Sequence, residues 1–183
     1  MEIVKLLLDN GADVNATSIV DGSTALMTAV RGSNVEVVKL LIEKGADVNT
    51  VVEMGDENMT AMDFAALSGN VEILKMLIEK DAHFNGALAI AAGKGYVEAV
   101  KLLIDKGADV NAGGQWGETA LMIAAGAGQL EVMKLLIEKG AKVNARNKNG
   151  KTALWYAADE GKTDAAELLK ENGAVPIEKK QSP

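Results

Sequence analysis

The chain has 183 residues, 48% hydrophobic and 25% charged, which fits one soluble globular domain. Its 19 basic and 26 acidic residues leave a net charge of -7, which argues against general binding of DNA or RNA and against anionic membrane surfaces. The absence of cysteine excludes disulfides, thiolate metal sites and a cysteine nucleophile, and aromatics at 3% leave the core to Leu, Ile, Val, Ala and Met.

Met1 to Leu8 has no basic leader, and no apolar run approaches the roughly 18 residues of a membrane span, so a cytoplasmic chain is expected. The next residues close a segment that recurs. Leu6 to Asn15, ending in Gly11-Ala12-Asp13-Val14-Asn15, returns at Leu40 to Asn49, at Leu102 to Asn111 and at Leu135 to Asn144. A degenerate copy runs from Met76 to Asn85 with Asp81 in the glycine's place, and a last copy stops at Gly173-Ala174-Val175-Pro176. Successive glycine positions 11, 45, 81, 107, 140 and 173 are spaced by 34, 36, 26, 33 and 33 residues. A second landmark precedes the full units: Gly22-Ser23-Thr24-Ala25-Leu26, Asn58-Met59-Thr60-Ala61-Met62, Gly117-Glu118-Thr119-Ala120-Leu121 and Gly150-Lys151-Thr152-Ala153-Leu154.

Each repeat predicts two helices. In Asn34 to Lys44 the polar residues Glu36, Lys39 and Glu43 form one solvent stripe at helical spacing. The remaining arc is so apolar that the helix must be covered on two sides, which stacking between neighbouring units provides. The preceding helices carry small residues (Ala29, Ala65-Ala66, Ala91-Ala92, Ala124-Ala125, Ala157-Ala158) that let paired helices approach closely. Thr24, Thr60, Thr119 and Thr152 occupy N-cap positions, and the glycines after each second helix supply left-handed ends.

These landmarks resemble the ankyrin repeat, with its period near 33 and its Thr-Pro-Leu-His-x-Ala signature. The resemblance covers residues 1–176. It implies an all-α solenoid of stacked helix–turn–helix units with short projecting β-hairpin or loop fingers. The units run roughly 1–19, 20–52, 53–85, 86–112, 113–145 and 146–176, followed by a disordered tail over 177–183. Two departures stand out. Ala25, Ala61, Ala120 and Ala153 replace the family's proline. Its histidine is replaced by Met27, Asp63, Ala89, Met122 and Trp155, which suggests a softer hairpin base.

The repeats are uneven. The chain begins inside a repeat, so Ile3, Val4, Leu7 and Leu8 lose their usual neighbour; either the chain is cut within a repeat or this end self-associates. The last second helix, Asp164 to Lys170, is polar enough to be a cap. From the repeat asparagine to the threonine there are 9, 11, 8 and 8 residues at Asn15, Asn49, Asn111 and Asn144, whereas Gly86 takes the threonine place beside Asn85. The fourth unit is therefore expected to lack a finger, leaving a notch that either admits a bulky partner element or reflects drift.

The resemblance places a partner-binding concave face on the fingers and first helices. By register it includes Asp21, Ser23, Arg31, Glu57, Met59, Leu67, Lys94, Gln115, Trp116, Glu118, Lys148, Lys151, Trp155, Asp159 and Glu160. Trp116, at a finger tip, is either an interface anchor or folded against the next finger. Trp155, in the histidine's place, is expected to pack on its own hairpin. Asp21, Asp56, Glu57 and Asp63 make the early fingers acidic, and Arg146, Lys148 and Lys151 make the last one basic, so a partner of opposite polarity would be steered into register.

No catalytic set survives the repeat register. Glu36-Lys39, Glu72-Lys75, Glu98-Lys101 and Glu131-Lys134 fit a solvated outer face. His83 is the only histidine and replaces a loop aspartate, so metal sites and histidine triads lack their parts. Gly150-Lys151-Thr152 and Gly161-Lys162-Thr163 have Ala145 and Tyr156 where a phosphate loop needs glycine. Gly93-Lys94-Gly95 has Glu98 where a dinucleotide motif needs glycine. The expectation is a non-catalytic, monomeric protein-binding module with no cofactor, metal, nucleic acid or membrane partner. The alternative is a structural spacer or self-assembling unit that uses the N-terminal end.

Overall fold

Threonine and asparagine side chains start the helices. In the computed structural model, which describes residues 1–55, 57–84 and 86–176, Thr24 Oγ1 accepts the N–H of Met27, and Thr60, Thr119 and Thr152 do the same for Asp63, Met122 and Trp155. Each satisfies one of the free N–H groups at a helix start, which stabilises it by about 1 kcal/mol. The chain divides into two units, Met1–Ala87 and Leu88–Pro183.

The first unit contains α1 (Glu2–Asp9), α2 (Ala25–Arg31), α3 (Val35–Glu43), the hairpin β1 (Val52–Met54) and β2 (Glu57–Met59), α4 (Ala61–Ser68) and α5 (Val71–Ile78). Its α2 packs on α3 and α4, α4 on α5, and α3 on α5. The core is Leu26, Met27, Val30, Val38, Leu41, Met62, Ile73, Leu74 and Leu77, all essentially without solvent contact. Each such side chain contributes about 1.5–3 kcal/mol by leaving water. Six consecutive residues of α4, Ala61 to Ala66, are buried, as a helix covered on two sides requires.

The second unit contains α7 (Val97–Asp105), α8 (Ala120–Ala127), α9 (Leu130–Glu138), α10 (Ala153–Asp159) and α11 (Thr163–Glu171); α6 (Ala87–Lys94) begins at the boundary. There α8 packs on α9 and α10, α10 on α11, and α9 on α7 and α11. Leu103, Leu121, Met122, Met133, Leu136 and Leu169 fill its core, with Ala124 and Ala125 of α8 fully buried among them. Ala158 departs from the expected small-residue seam: it is exposed, and Ala157 alone is buried.

Within each unit the loop asparagines tie one repeat to the next. Asn15 Oδ1 accepts the N–H of Asp47, Asn49 Oδ1 that of His83, Asn111 Oδ1 that of Lys142 and Asn144 Oδ1 that of Val175, at 2.8–2.9 Å. Their amide groups donate back to the carbonyls of Gly45, Asp81, Gly140 and Gly173. On the outer face, the ion pairs among the described residues join successive repeats, Lys44 to Asp9 at 2.7 Å and Lys139 to Asp105 at 3.0 Å, rather than the i,i+3 pairs along each helix. Both are exposed and add little stability.

Between α5 and α6 there is no paired strand among the described residues. Ala87 N–H bonds the Phe84 carbonyl at 2.8 Å and α6 starts at once; Asn85, on which the expected loss of the finger turns, lies outside the described residues. The tail expected over 177–183 also lies outside them. Among the described residues no helix is long and apolar enough to cross a membrane.

Candidate partner-binding surface

In the first unit, a finger is closed by the Thr17–Thr24 bridge and by Ser18 N–H bonding the Ser23 carbonyl at 2.9 Å. Ile19 and Val20 stand at its tip, fully open to solvent. Asp21 turns back into the finger and accepts from Ser23 Oγ at 2.7 Å and Ser23 N–H at 3.2 Å. Those bonds, first from Ser23 and then Ser18, hold its carboxyl below the usual carboxylate range, with Arg31 the smallest influence. Ser23, expected on the binding face, is buried in this role.

The hairpin pairs Val52 with Met59 and Met54 with Glu57. Together with α2 and α4 it encloses an open groove of ≈ 530 Å³ lined by Arg31, Met54, Met59, Phe64, Leu67 and Ser68. Met59, expected at a finger surface, is instead 7% exposed and forms part of the groove wall. Hairpin alternation sends it inward with Val52, its cross-strand partner. The groove brings Arg31, Met59 and Leu67 together. The expectation for Asp56 lies outside the described residues, as does that for the Glu57 side chain.

Asp63 is a correction. Expected among acidic finger residues, it is 1% exposed in the first turn of α4. Its Oδ2 accepts the Thr60 N–H at 2.9 Å and the Thr60 hydroxyl at 2.8 Å, which completes a capping box. It therefore replaces the family's histidine with a firm tie rather than a softer one. Met122 Sδ accepts the Thr119 N–H in the equivalent place.

In the second unit, two fingers are fastened by backbone. The Gly113–Thr119 bridge closes the first, Asn147 N–H to the Lys151 carbonyl closes the second, and Lys148 N–H donates to the Trp116 carbonyl at 2.9 Å. Gly117 permits this approach: at φ +81° it has no side chain, and a Cβ there would lie 3.3 Å from Lys148 N. The Trp116 side chain is 57% exposed, and Gln115 beside it is also exposed. Lys148 is exposed and Lys151 half-buried, with the Lys151 ammonium 3.5 Å over the Trp155 ring. Trp155 also meets Tyr156, its neighbour in α10, edge-on at 5.3 Å.

Glu118 is a second correction. Its carboxylate turns inward, accepting from Tyr156 Oη at 3.1 Å and from Asn147 Nδ2 at 3.3 Å. Desolvation, and then Glu118, push the Tyr156 hydroxyl above its ordinary value. Asn147, 6% exposed, joins the two fingers: its Oδ1 accepts from Asn149 and Lys151 N–H while Nδ2 reaches Glu118 and Tyr156. Neither Asn147 nor Tyr156 was singled out by the repeat register, because both depart from the repeated letters rather than matching them. Asp159, Glu160 and Lys94 are exposed at helix ends. Among the described residues no cluster of three or more His, Asp or Glu is arranged to hold a metal ion.

The family model for ankyrin repeats (three copies) matches residues 1–87 and again residues 88–180. The chain belongs to the ankyrin-repeat family, whose repeats are generally protein–protein interaction modules and typically non-enzymatic. A comparison with curated proteins returned no match.

Proposed function

We propose that the chain is a protein-binding module, cytoplasmic and non-catalytic, that holds its partner on the fingers and the exposed sides of the first helices. In the first unit the surface would use Asp21, Arg31, Glu57 and the wall residue Met59. In the second it would use Gln115, Trp116, Lys148, Lys151, Trp155 and Asp159, with Glu118 positioning the fingers. The observation that carries this reading is Trp116, an exposed indole on a finger whose backbone is fixed to Lys148. A large exposed side chain on a backbone already fixed in place suits an interface anchor, because the finger itself needs no ordering on binding. Arg146, Lys148 and Lys151 follow one another without an intervening acid, and among the described residues none makes an ion pair, so acidic segments suit this finger.

The test is capture from the source cell's lysate with the native chain and with a Trp116→Ala, Lys148→Glu double variant. A protein retained by the first and lost by the second supports the reading; equal retention moves the interface elsewhere. A structural or self-assembling role has one observation behind it: Ile3, Leu6 and Leu7 of α1 are 75%, 63% and 56% exposed. Light scattering over a range of concentrations decides it, since a monomer at all of them removes this alternative.

A further inference from the structure

The groove of the first unit has a chemistry narrower than protein binding in general. Its walls are Met54 and Met59 from the hairpin and Phe64 and Leu67 from α4. Met54 and Leu67 are substantially exposed, while Met59 and Phe64 are nearly buried beneath them. Two thioethers make such a wall adaptable to differently shaped apolar groups. Its volume is ≈ 530 Å³, and it is an open groove rather than an enclosed cavity, so it suits a side chain laid on it from a partner surface.

One cation lines this apolar groove. The Arg31 guanidinium lies over the Phe64 ring, 5.3 Å from its centroid, a cation–π contact at the groove wall. Among the described residues it donates no hydrogen bond. Among the described residues its ion-pair partner is Asp21, whose Oδ2 is 3.9 Å away while the other oxygen, Oδ1, accepts from Ser23. An exposed pair at that distance is weak. Five donors therefore remain for a carboxylate brought in from outside, and a guanidinium takes one bidentately.

Resting on the protein-binding reading above, we infer that this groove docks a partner segment that places an apolar side chain on Met54, Met59, Phe64 and Leu67 and a neighbouring Asp or Glu side chain on Arg31. A side-chain carboxylate is favoured over a chain terminus because terminal carboxylates are captured by clustered backbone N–H groups. This groove is lined by side chains, and beside it the Thr60 and Asp63 N–H groups are each bonded to the other's side chain.

The experiment pans a random peptide display library on the full chain and remakes the enriched sequences as N-acetylated, C-amidated peptides. The expected enrichment is an apolar residue within two positions of Asp or Glu. In the chain labelled at its methionine methyls, these peptides shift Met54 and Met59 and leave Met133, fully buried in the other unit, unmoved. Arg31→Gln, and Glu→Gln in the peptide, each weaken binding about tenfold, about 1.4 kcal/mol, and the two losses do not add. Arg31→Lys falls between, because it keeps the charge and loses the fork. Arg31 is exposed, so an unchanged unfolding midpoint for Arg31→Gln shows that the fold is intact, and Leu67→Ser provides an independent loss from the opposite wall.

Peptides that bind without moving Met54 and Met59 and that ignore Arg31→Gln overturn the groove assignment and leave the protein-binding reading standing. Peptides that shift both methionines but tolerate Glu→Gln overturn the carboxylate half. A library that yields no binder at all overturns the inference together with the reading on which it rests.

Discussion

Asn49 holds the loop of the following repeat through His83: its Oδ1 accepts the His83 N–H at 2.9 Å, while its Nδ2 donates to the Asp81 carbonyl at 3.2 Å. One side chain thus satisfies two backbone groups more than thirty residues further along.

Asn49→Ala is expected to destabilise the chain by about 1–3 kcal/mol, because both backbone groups lose their partner at a half-buried site. Asn49→Asp keeps the acceptor for His83 and loses the donor, so its cost is smaller. Urea unfolding followed by far-ultraviolet circular dichroism ranks the three proteins, and equal midpoints for Ala and native would refute the role.

Asp81 occupies the place where the other repeats have glycine, at φ +57°. A side chain in the left-handed region costs about 1–2 kcal/mol, somewhat less for aspartate. Asp81→Gly is expected to stabilise by about 1 kcal/mol, and Asn49 still finds the backbone carbonyl it needs. Asp81→Val should move the denaturation midpoint the other way. Ser33, at φ +51°, offers the same test in the turn after α2.

At the start of α11, Lys162 stands in the N-cap place and makes no side-chain cap bond. A lysine there also sets a positive charge against the positive end of the helix. Lys162→Asn supplies an acceptor and removes that charge, so a gain of about 1 kcal/mol is expected in thermal denaturation.

Tyr156→Phe tests the joint between the two fingers of the second unit. Without the hydroxyl, the Glu118 carboxylate and Asn147 Nδ2 retain only each other, and a loss of about 1–2 kcal/mol is expected. The sign of the pH effect follows from the raised titration of Tyr156, caused first by desolvation and then by Glu118. A neutral phenol favoured in the folded chain stabilises it below about pH 10, the unfolded value, and that contribution fades as pH rises through the higher folded value. The native advantage over Tyr156→Phe is therefore expected to be full at pH 8 and reduced at pH 11. A gap that widens with pH would contradict it.

The fold was legible because its letters recur: glycine, threonine and alanine positions fall in register, and the same caps, ends and helix seams form in both units. The role of the repeat asparagine was not, because its partners are backbone atoms of the next repeat, which carry no letter of their own. Asp63 shows a signal that was present and overlooked. Thr60-x-x-Asp63 is the spacing of a capping box, which draws an acid inward although its position beside a finger suggests display. Glu118 and Met59 were misplaced for a related reason. Register assigns a residue to a finger, but whether its side chain faces water depends on Tyr156, Asn147 and the hairpin pleat. Trp116 and Arg31 are both exposed in the structure, although Arg31 lies over the nearly buried Phe64 ring, a contact that the repeat letters do not announce.

The bond that fixes Trp116 to Lys148 runs between a carbonyl and an N–H, which any amino acids at 115, 116 and 148 supply so long as 148 is not proline. Frame and lettering are thus separable at these fingers: the tips can be respelled for a new target, provided Gly117 stays, without rebuilding what holds them in place.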